Sequence, residues 1–247
     1  MSWLDDVVAD SADRMAALPW HHPAKSYLRG RGVQDEWITS YRLGWMEQPT
    51  ARACTPDFWT WLHKIGWAKI LFPLTDPLGA VIGVQLRAPA TGRYTDFLLA
   101  PRELHIPTFG LHVALPAAWS SGRLILVEGV FDYFATRAHT TDVVAILTSA
   151  VSMRVRQLIQ RYASTVVVLT DMDGPGRRGA YRFAGLPIPK EWQRPEDALA
   201  KVPPVPPYHV IIPTYSEHDP DDLRKHGKTE ELQRLVSYGL GAHRATA

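Results

Sequence analysis

Three short stretches of this chain end in clustered carboxylates. Glu128 and Asp132 follow "LILV", Asp171 and Asp173 follow "VVVLT", and Asp219, Asp221 and Asp222 follow "YHVIIP". In an open parallel sheet ligands sit beyond the carboxyl ends of the strands, so if these stretches are neighbouring strands their acids converge on one edge. Two carboxylates about 4 Å apart repel by roughly 4 kcal/mol at an effective dielectric of about 20. A bare cluster would therefore protonate or splay, and divalent cations remove the difficulty. All-oxygen donors, with no histidine or thiolate in the motif, suit Mg²⁺ or Mn²⁺ and not zinc. Two such ions could activate a hydroxyl and stabilise the leaving oxygen of an in-line phosphoryl transfer. Gly174, Gly176 and Gly179 allow backbone and substrate to approach closely, and Arg177 and Arg178 beside a helix start add affinity for phosphate. An isolated Asp-x-Asp-Gly is usually a turn; three acidic strand ends in order favour chemistry.

The elements that must hold these residues follow from the hydrophobic pattern. From Gly122 onward "LILVE", "VVAIL" and "VVVLT" read as fully apolar strands, separated by helices at "VFDYFATRAH" and "SMRVRQLIQRYA", with another helix starting at "GRRGAYRF". Such alternation predicts a parallel sheet covered on both faces. Prolines gather between 187 and 207, where an extended excursion is expected before a last strand at "YHVIIP".

The first half reads differently. Helices are expected over 2–18, around 24–30 and 35–41, and over 55–63 with Thr55 as N-cap and Pro56 in the first turn. Apolar runs on either side of Asp76-Pro77-Leu78-Gly79 predict an antiparallel hairpin near 70–75 and 80–87, with a third strand near 93–99.

Composition narrows the classes. The chain has 247 residues, 46% of them hydrophobic, and a formal net charge of +2. It can bury a sizeable core in one or two domains, and it lacks the strong basic field of many nucleic-acid binders. No apolar run approaches a membrane span and residues 1–20 are not signal-like, so a cytoplasmic protein without a membrane partner is expected. Its single cysteine, Cys54, excludes an internal disulfide and a cysteine-based zinc ribbon. Adjacent His21 and His22 in a proline-bounded turn are poor metal co-ligands, and Trp59, Trp61 and Trp67 are better read as packing than as base-stacking platforms.

These residues resemble the TOPRIM domain, with "EGVFD" and "DMDGPG" as its two acidic signatures. The likeness extends collinearly from about residue 25 to 228. "YLRGRGVQDEWITSYRLGW", "ILFPLTDPLGAVIGVQLRA", "GRYTDFLLAP", "TFGLHVA" and "DPDDLRKHGK" are similar to successive segments of the RNA polymerase core of DnaG-type primases. The resemblance implies an α/β protein: an N-terminal α+β lobe with a small antiparallel sheet over 1–120, a Rossmann-like TOPRIM lobe with a mainly parallel sheet over 121–230, and a tail over 231–247. It implies a primase, that is, a DNA-directed RNA polymerase making short RNA primers on single-stranded DNA from ribonucleoside triphosphates by two-metal nucleotidyl transfer. Glu128, Asp171 and Asp173 would be catalytic. With Asp219 and Asp221 they would hold Mg²⁺ or Mn²⁺, with Asp132, Gly129 and Gly174 in support. Arg29 or Arg31, Arg87 and Arg93 would meet template or nucleotide phosphates, as would Arg177 and Arg178.

The chain departs from that pattern in places. The segment "ELHIPTFG" lacks the family's lysine, and a zinc-ribbon and a helicase-binding domain do not fit. The expectation is a compact stand-alone core of phage or plasmid origin, or an excised fragment, with a separate zinc-binding template-recognition protein and a replicative helicase as candidate partners. Two alternatives stay open: a TOPRIM-type metal-dependent nuclease, and a non-catalytic nucleic-acid-binding accessory protein.

Overall fold

The structure, a computed structural model, describes residues 3–47, 55–99, 108–147, 153–194, 197, 204 and 206–240. Cys54 and residues 103–107 of the "ELHIPTFG" segment lie outside them. Residues 1–109 and 110–247 form two compact units.

The first unit begins with α1 (Trp3–Ala17), whose Leu4, Val7, Val8 and Met15 recur at helical spacing and are buried. Next come α2 (Pro23–Gly30), α3 (Asp35–Ser40) and β1 (Gly44–Met46). The His22 side chain caps α2, its Nδ1 accepting from Ala24 N at 3.2 Å. A side chain at Gly44 would put its Cβ 2.5 Å from Ser11 Cβ, so glycine is what lets α1 lie directly on β1. Then α4 (Pro56–Ile65) starts as expected, with the Thr55 hydroxyl accepting from Phe58 N at 3.4 Å.

The strands β2 (Lys69–Thr75), β3 (Val81–Arg87) and β4 (Tyr94–Leu98) complete an antiparallel sheet of order β1-β2-β3-β4. Asp76 closes the β2–β3 turn: its Oδ1 accepts from Leu78 N and Ala80 N, both at 2.9 Å, while Gly79 takes φ +88. Phe58, Leu62, Leu71 and Val84 form the core with α1, and Trp3, Trp61 and Trp67 pack against it. Three-residue β1 was too short to be legible in the sequence.

The second unit opens on α5 (Leu111–Ser121), which the sequence reading lacked because Pro116 sits in its interior, where proline removes a helical hydrogen bond. Gly110, at φ +81, is its N-cap; a Cβ there would lie 2.2 Å from the Tyr133 ring. The elements then alternate through β5 (Arg123–Val127), α6 (Val130–Arg137), β6 (Val143–Ala145), α7 (Met153–Tyr162), β7 (Thr165–Leu169), α8 (Gly174–Ala184) and β8 (His209–Ile211). The sheet order is β6-β5-β7-β8 with every pairing parallel. Two helices follow, α9 (Pro220–Lys225) and α10 (Thr229–Ser237), the latter burying Leu232, Leu235 and Val236. The proline-rich excursion is partly described: a 3₁₀ turn spans Lys190–Trp192, and Asp197 is buried in ion pairs with Arg178 and Arg182 of α8. Among the described residues no helix is long and apolar enough to cross a membrane.

A buried ion pair ties the amino-terminal end of this sheet together. Arg123 grips Asp142 with two bonds, Nε to Oδ2 at 2.8 Å and a terminal nitrogen to Oδ1 at 2.9 Å. Its other terminal nitrogen donates to the carbonyls of Val236 and Tyr238 at the end of α10. Burial would raise the Asp142 carboxyl, yet the bonds from Arg123 and Thr140 outweigh it and hold the group below its usual range. Asp142→Ala leaves Arg123 buried without a counter-charge, so it is expected to destabilise the chain by about 3–5 kcal/mol. A lowered midpoint in urea denaturation checks this; an unchanged midpoint would show that the pair contributes nothing.

Candidate active site

Strand register delivers the carboxylates. Val127 and Leu169 form the last matched pair of β5 and β7, so Glu128 leaves one strand immediately beside the point where Thr170 and Asp171 leave its neighbour. The chain after β8 returns to the same edge, where Met172 N donates to His218 O at 2.7 Å. That single backbone bond stitches the loop carrying Asp171 and Asp173 to the loop carrying Asp219. Beneath it, Tyr215 donates its hydroxyl to Thr170 O, and Thr170 donates to Gly176 O at 3.0 Å.

Two aspartates of the edge also start helices. Asp173 is the N-cap of α8, its Oδ1 accepting from Gly176 N at 2.8 Å, and Asp219 is the N-cap of α9, its Oδ1 accepting from Asp222 N at 2.6 Å. Asp132, in the first turn of α6, accepts from Gly129 N at 2.9 Å and from Asp221 N at 3.2 Å, so one buried carboxyl joins the starts of α6 and α9. Gly176 cannot be replaced freely: a Cβ would sit 2.3 Å from Asp171 O. At Gly129 and Gly174 a Cβ would meet the side chains of Asp132 and Arg178 at 2.8 Å.

The electrostatics match a crowded acidic edge. Burial, then the charges of Asp171 and Asp173, push the Glu128 carboxyl up to about 7. Burial, with Asp219 and Asp173 pushing and His218 pulling back, lifts Asp171 to about 6. Asp132 is raised by its complete burial and by Asp219 and Asp171. Burial alone would lower the His218 imidazole, but Asp171 and Asp219 more than compensate and raise it. Glu128 Oε2 is buried with no hydrogen-bond partner among the described residues. An orphaned carboxylate oxygen among acids lifted by mutual repulsion is the donor chemistry that a divalent cation satisfies, so the residues fit such an ion.

Two groups of side chains bring their donor atoms within 4.8 Å of one another: Asp171, Asp173 and His218, and His218, Asp219 and Asp222. Asp171, Asp173 and Asp219 are thus gathered as the sequence implies, with Glu128 coupled to them electrostatically. Asp221 is in neither group. It is buried and ion-paired with Arg224 at 2.8 Å and Lys225 at 3.0 Å, and Asp222 takes its place at the edge. His218 was passed over in the sequence, although it directly precedes Asp219; it also amends the all-oxygen donor set on which the exclusion of zinc rested.

The arginines are placed less simply. Arg177 is buried and donates to Pro213 O at 3.0 Å; Arg178 is buried against Trp192 O and Asp197. In the first unit, Arg29 forms a two-bond pair with Asp35 at 2.9 and 2.7 Å and donates to Trp20 O. Arg87 is buried, bonded through Nε to the Tyr27 hydroxyl and stacked 4.0 Å over the Tyr94 ring. Arg31 is half-buried and Arg93 is exposed.

Comparison with known proteins bears on this arrangement. A family described as Toprim-like matches residues 125–195, which span β5 to the 3₁₀ turn. The DNA primase of Neisseria meningitidis serogroup A is 28% identical over 248 residues, covering 89% of this chain and 39% of that protein. The DNA primase of Deinococcus radiodurans is 28% identical over 205 residues, covering 66% of this chain and 33% of that protein. The chain thus spans well under half the length of these relatives. Among solved structures, the zinc-binding and RNA polymerase domains of the Aquifex aeolicus primase superpose with a TM-score of 0.70 at 22% identity, over 95% of this chain and 59% of that one. A DnaG primase catalytic domain bound to single-stranded DNA superposes with a TM-score of 0.71 at 20% identity, over 95% of this chain and 77% of that one. An antiparallel four-stranded unit followed by a parallel four-stranded unit with acids at its strand ends is thus the fold of a DnaG-type primase catalytic core, and this chain has it.

Proposed function

We propose that the chain is the catalytic core of a DNA primase, extending short RNA primers on a single-stranded DNA template from ribonucleoside triphosphates. The observation that carries this reading is the set of acids, Glu128, Asp171, Asp173 and Asp219, held at adjoining strand ends within a primase-core fold. These residues would hold Mg²⁺ or Mn²⁺, which when bound supplies charge stabilisation for the pentavalent phosphate and its leaving pyrophosphate. The protein's own contributions are then distinct. Glu128, whose carboxyl is lifted toward neutrality in the metal-free site by burial and by the charges of Asp171 and Asp173, accepts the proton of the primer 3′-hydroxyl through the oxygen that does not face the cation. Asp173 and Asp219 are held in fixed rotamers by the backbone N–H groups they cap. Asp132, Gly129 and Gly174 keep the helix starts close, and Asp221 supports the first turn of α9. Exposed Arg93 and half-buried Arg31 would meet template or nucleotide phosphates. Buried Arg87 would orient Tyr27 and Tyr94, and Arg177 and Arg178 would brace α8. A zinc-binding template-recognition protein and a replicative helicase are its candidate partners.

Asp171→Ala is expected to reduce elongation of a pre-annealed RNA primer by about 100-fold or more, the scale at which single electrostatic stabilisers act. Equal elongation by mutant and wild type would remove the assignment. Metal-dependent loss of labelled nucleic acid without added nucleotides would replace polymerisation by hydrolysis.

The raised carboxyls also set a pH dependence. Glu128 moves from 4.5 to about 7 and Asp171 from 3.8 to about 6 on folding. Over that window the folded chain without a cation binds more protons than the unfolded chain, so these two groups make stability fall as pH rises. In chelator-treated protein the drop in melting temperature between about pH 5 and about pH 8 should therefore be smaller for Glu128→Gln than for wild type. At the higher pH, Mg²⁺ or Mn²⁺ at one hundred times its Kd should restore about 2.7 kcal/mol. Parallel pH curves for the two proteins would contradict the electrostatic account.

A further inference from the structure

We propose that His218 is a nitrogen ligand of the acidic centre and biases it toward Mn²⁺ over Mg²⁺. The proposal rests on reading that centre as a metal site and adds to it the residue that chooses the ion. His218 belongs to both groups of converging donors, the only side chain that does among the described residues. Its Nδ1 lies 3.5 Å from Asp219 Oδ2 and 3.9 Å from Asp171 Oδ2, while its Nε2 lies 4.0 Å from Asp173 Oδ2. These separations are longer than a good hydrogen bond. The Nδ1 separations from Asp219 and Asp171 are instead the span between ligands of one ion, since donors about 2.0–2.2 Å from a shared metal stand roughly 3–4 Å apart, and Nε2 on the other side of the ring faces away from that ion.

The residue is placed to do this from its backbone outward. Its carbonyl is held by Met172 N, and the next residue is the N-cap of α9, so its position is set by the stitch between the two acidic loops. The side chain is half exposed, which leaves the ring able to turn toward an ion.

Chemistry then sets the preference. Mg²⁺ is a hard cation that favours oxygen donors and gives up water reluctantly, whereas imidazole suits the first-row transition ions, with affinity rising along the series from Mn²⁺. One nitrogen among carboxylates therefore adds more to Mn²⁺ binding than to Mg²⁺ binding.

The test uses the whole chain, stripped of metal and loaded with Mn²⁺ alone, followed by pulsed electron paramagnetic resonance. The expected result is a nitrogen modulation characteristic of a coordinated imidazole, lost in both His218→Ala and His218→Gln. Mn²⁺ affinity should fall on the order of ten-fold in these variants, the scale on which even residues one step removed from an ion act, with a smaller change for Mg²⁺ measured by competition. Mn²⁺ bound without nitrogen modulation, or a modulation surviving in both variants, would overturn the role of His218 and leave the carboxylate centre standing. Equal losses of Mn²⁺ and Mg²⁺ affinity would overturn the selectivity. Failure of wild type to bind Mn²⁺ at all would overturn the metal centre as well.

Discussion

Like charge confined at close range is the constraint on which the second unit depends. Parallel pairing of β5, β7 and β8 brings Glu128, Asp171 and Asp173 to one edge, and the return of the chain after β8 adds Asp219 and Asp222. Left to themselves these groups would separate. The sheet prevents that, because their strands are buried and paired over five residues in the case of β5 and β7. Burial first, and the repulsion with it, is therefore expressed as carboxyl groups that hold their protons to unusually high pH.

The fold offsets part of this charge with backbone. The starts of α6, α8 and α9 all carry an aspartate that accepts from backbone N–H groups. Unpaired N–H groups at a helix start carry partial positive charge, so each aspartate both caps its helix and is stabilised by it. Asp132 shows how far this goes: it is fully enclosed, yet its two oxygens connect α6 to α9. What the backbone leaves unbalanced, above all Glu128 Oε2, is the part that a cation completes.

The basic residues follow a different economy. Arg123, Arg177, Arg178 and Arg87 are all buried, and the contacts resolved for them go to carbonyls, carboxylates, hydroxyls, a thioether or tyrosine rings within their own unit. A guanidinium presents five donors in a plane and can satisfy several carbonyls at a loop crossing, which is why α8 uses Arg177 to hold Pro213 and Arg178 to hold the proline-rich excursion. Proximity of an arginine to a phosphate-binding motif in sequence thus says little about whether its side chain reaches solvent.

What the amino-acid sequence determined alone is what depends on local pattern. Fully apolar runs of five residues separated by helical periods dictate a parallel sheet, and an acid directly after such a run must stand at its carboxyl end. Hence the positions of Glu128 and Asp171 just beyond adjacent strands were legible without coordinates, as were the Thr55 cap and the Asp76 turn. Tertiary structure alone decided which neighbouring acid faces the edge. Asp221 and Asp222 are adjacent and chemically identical and both pair with Lys225, but the first turn of α9 buries Asp221 against Arg224 and leaves Asp222 beside His218. It likewise decided the burial of the arginines and the presence of His218 in the centre, since both depend on contacts between residues far apart in the chain. Pro116 concealed α5 for the same reason: its local preference opposes helix, and packing of the buried Leu111, Ala114, Leu115 and Ala118 overrides it.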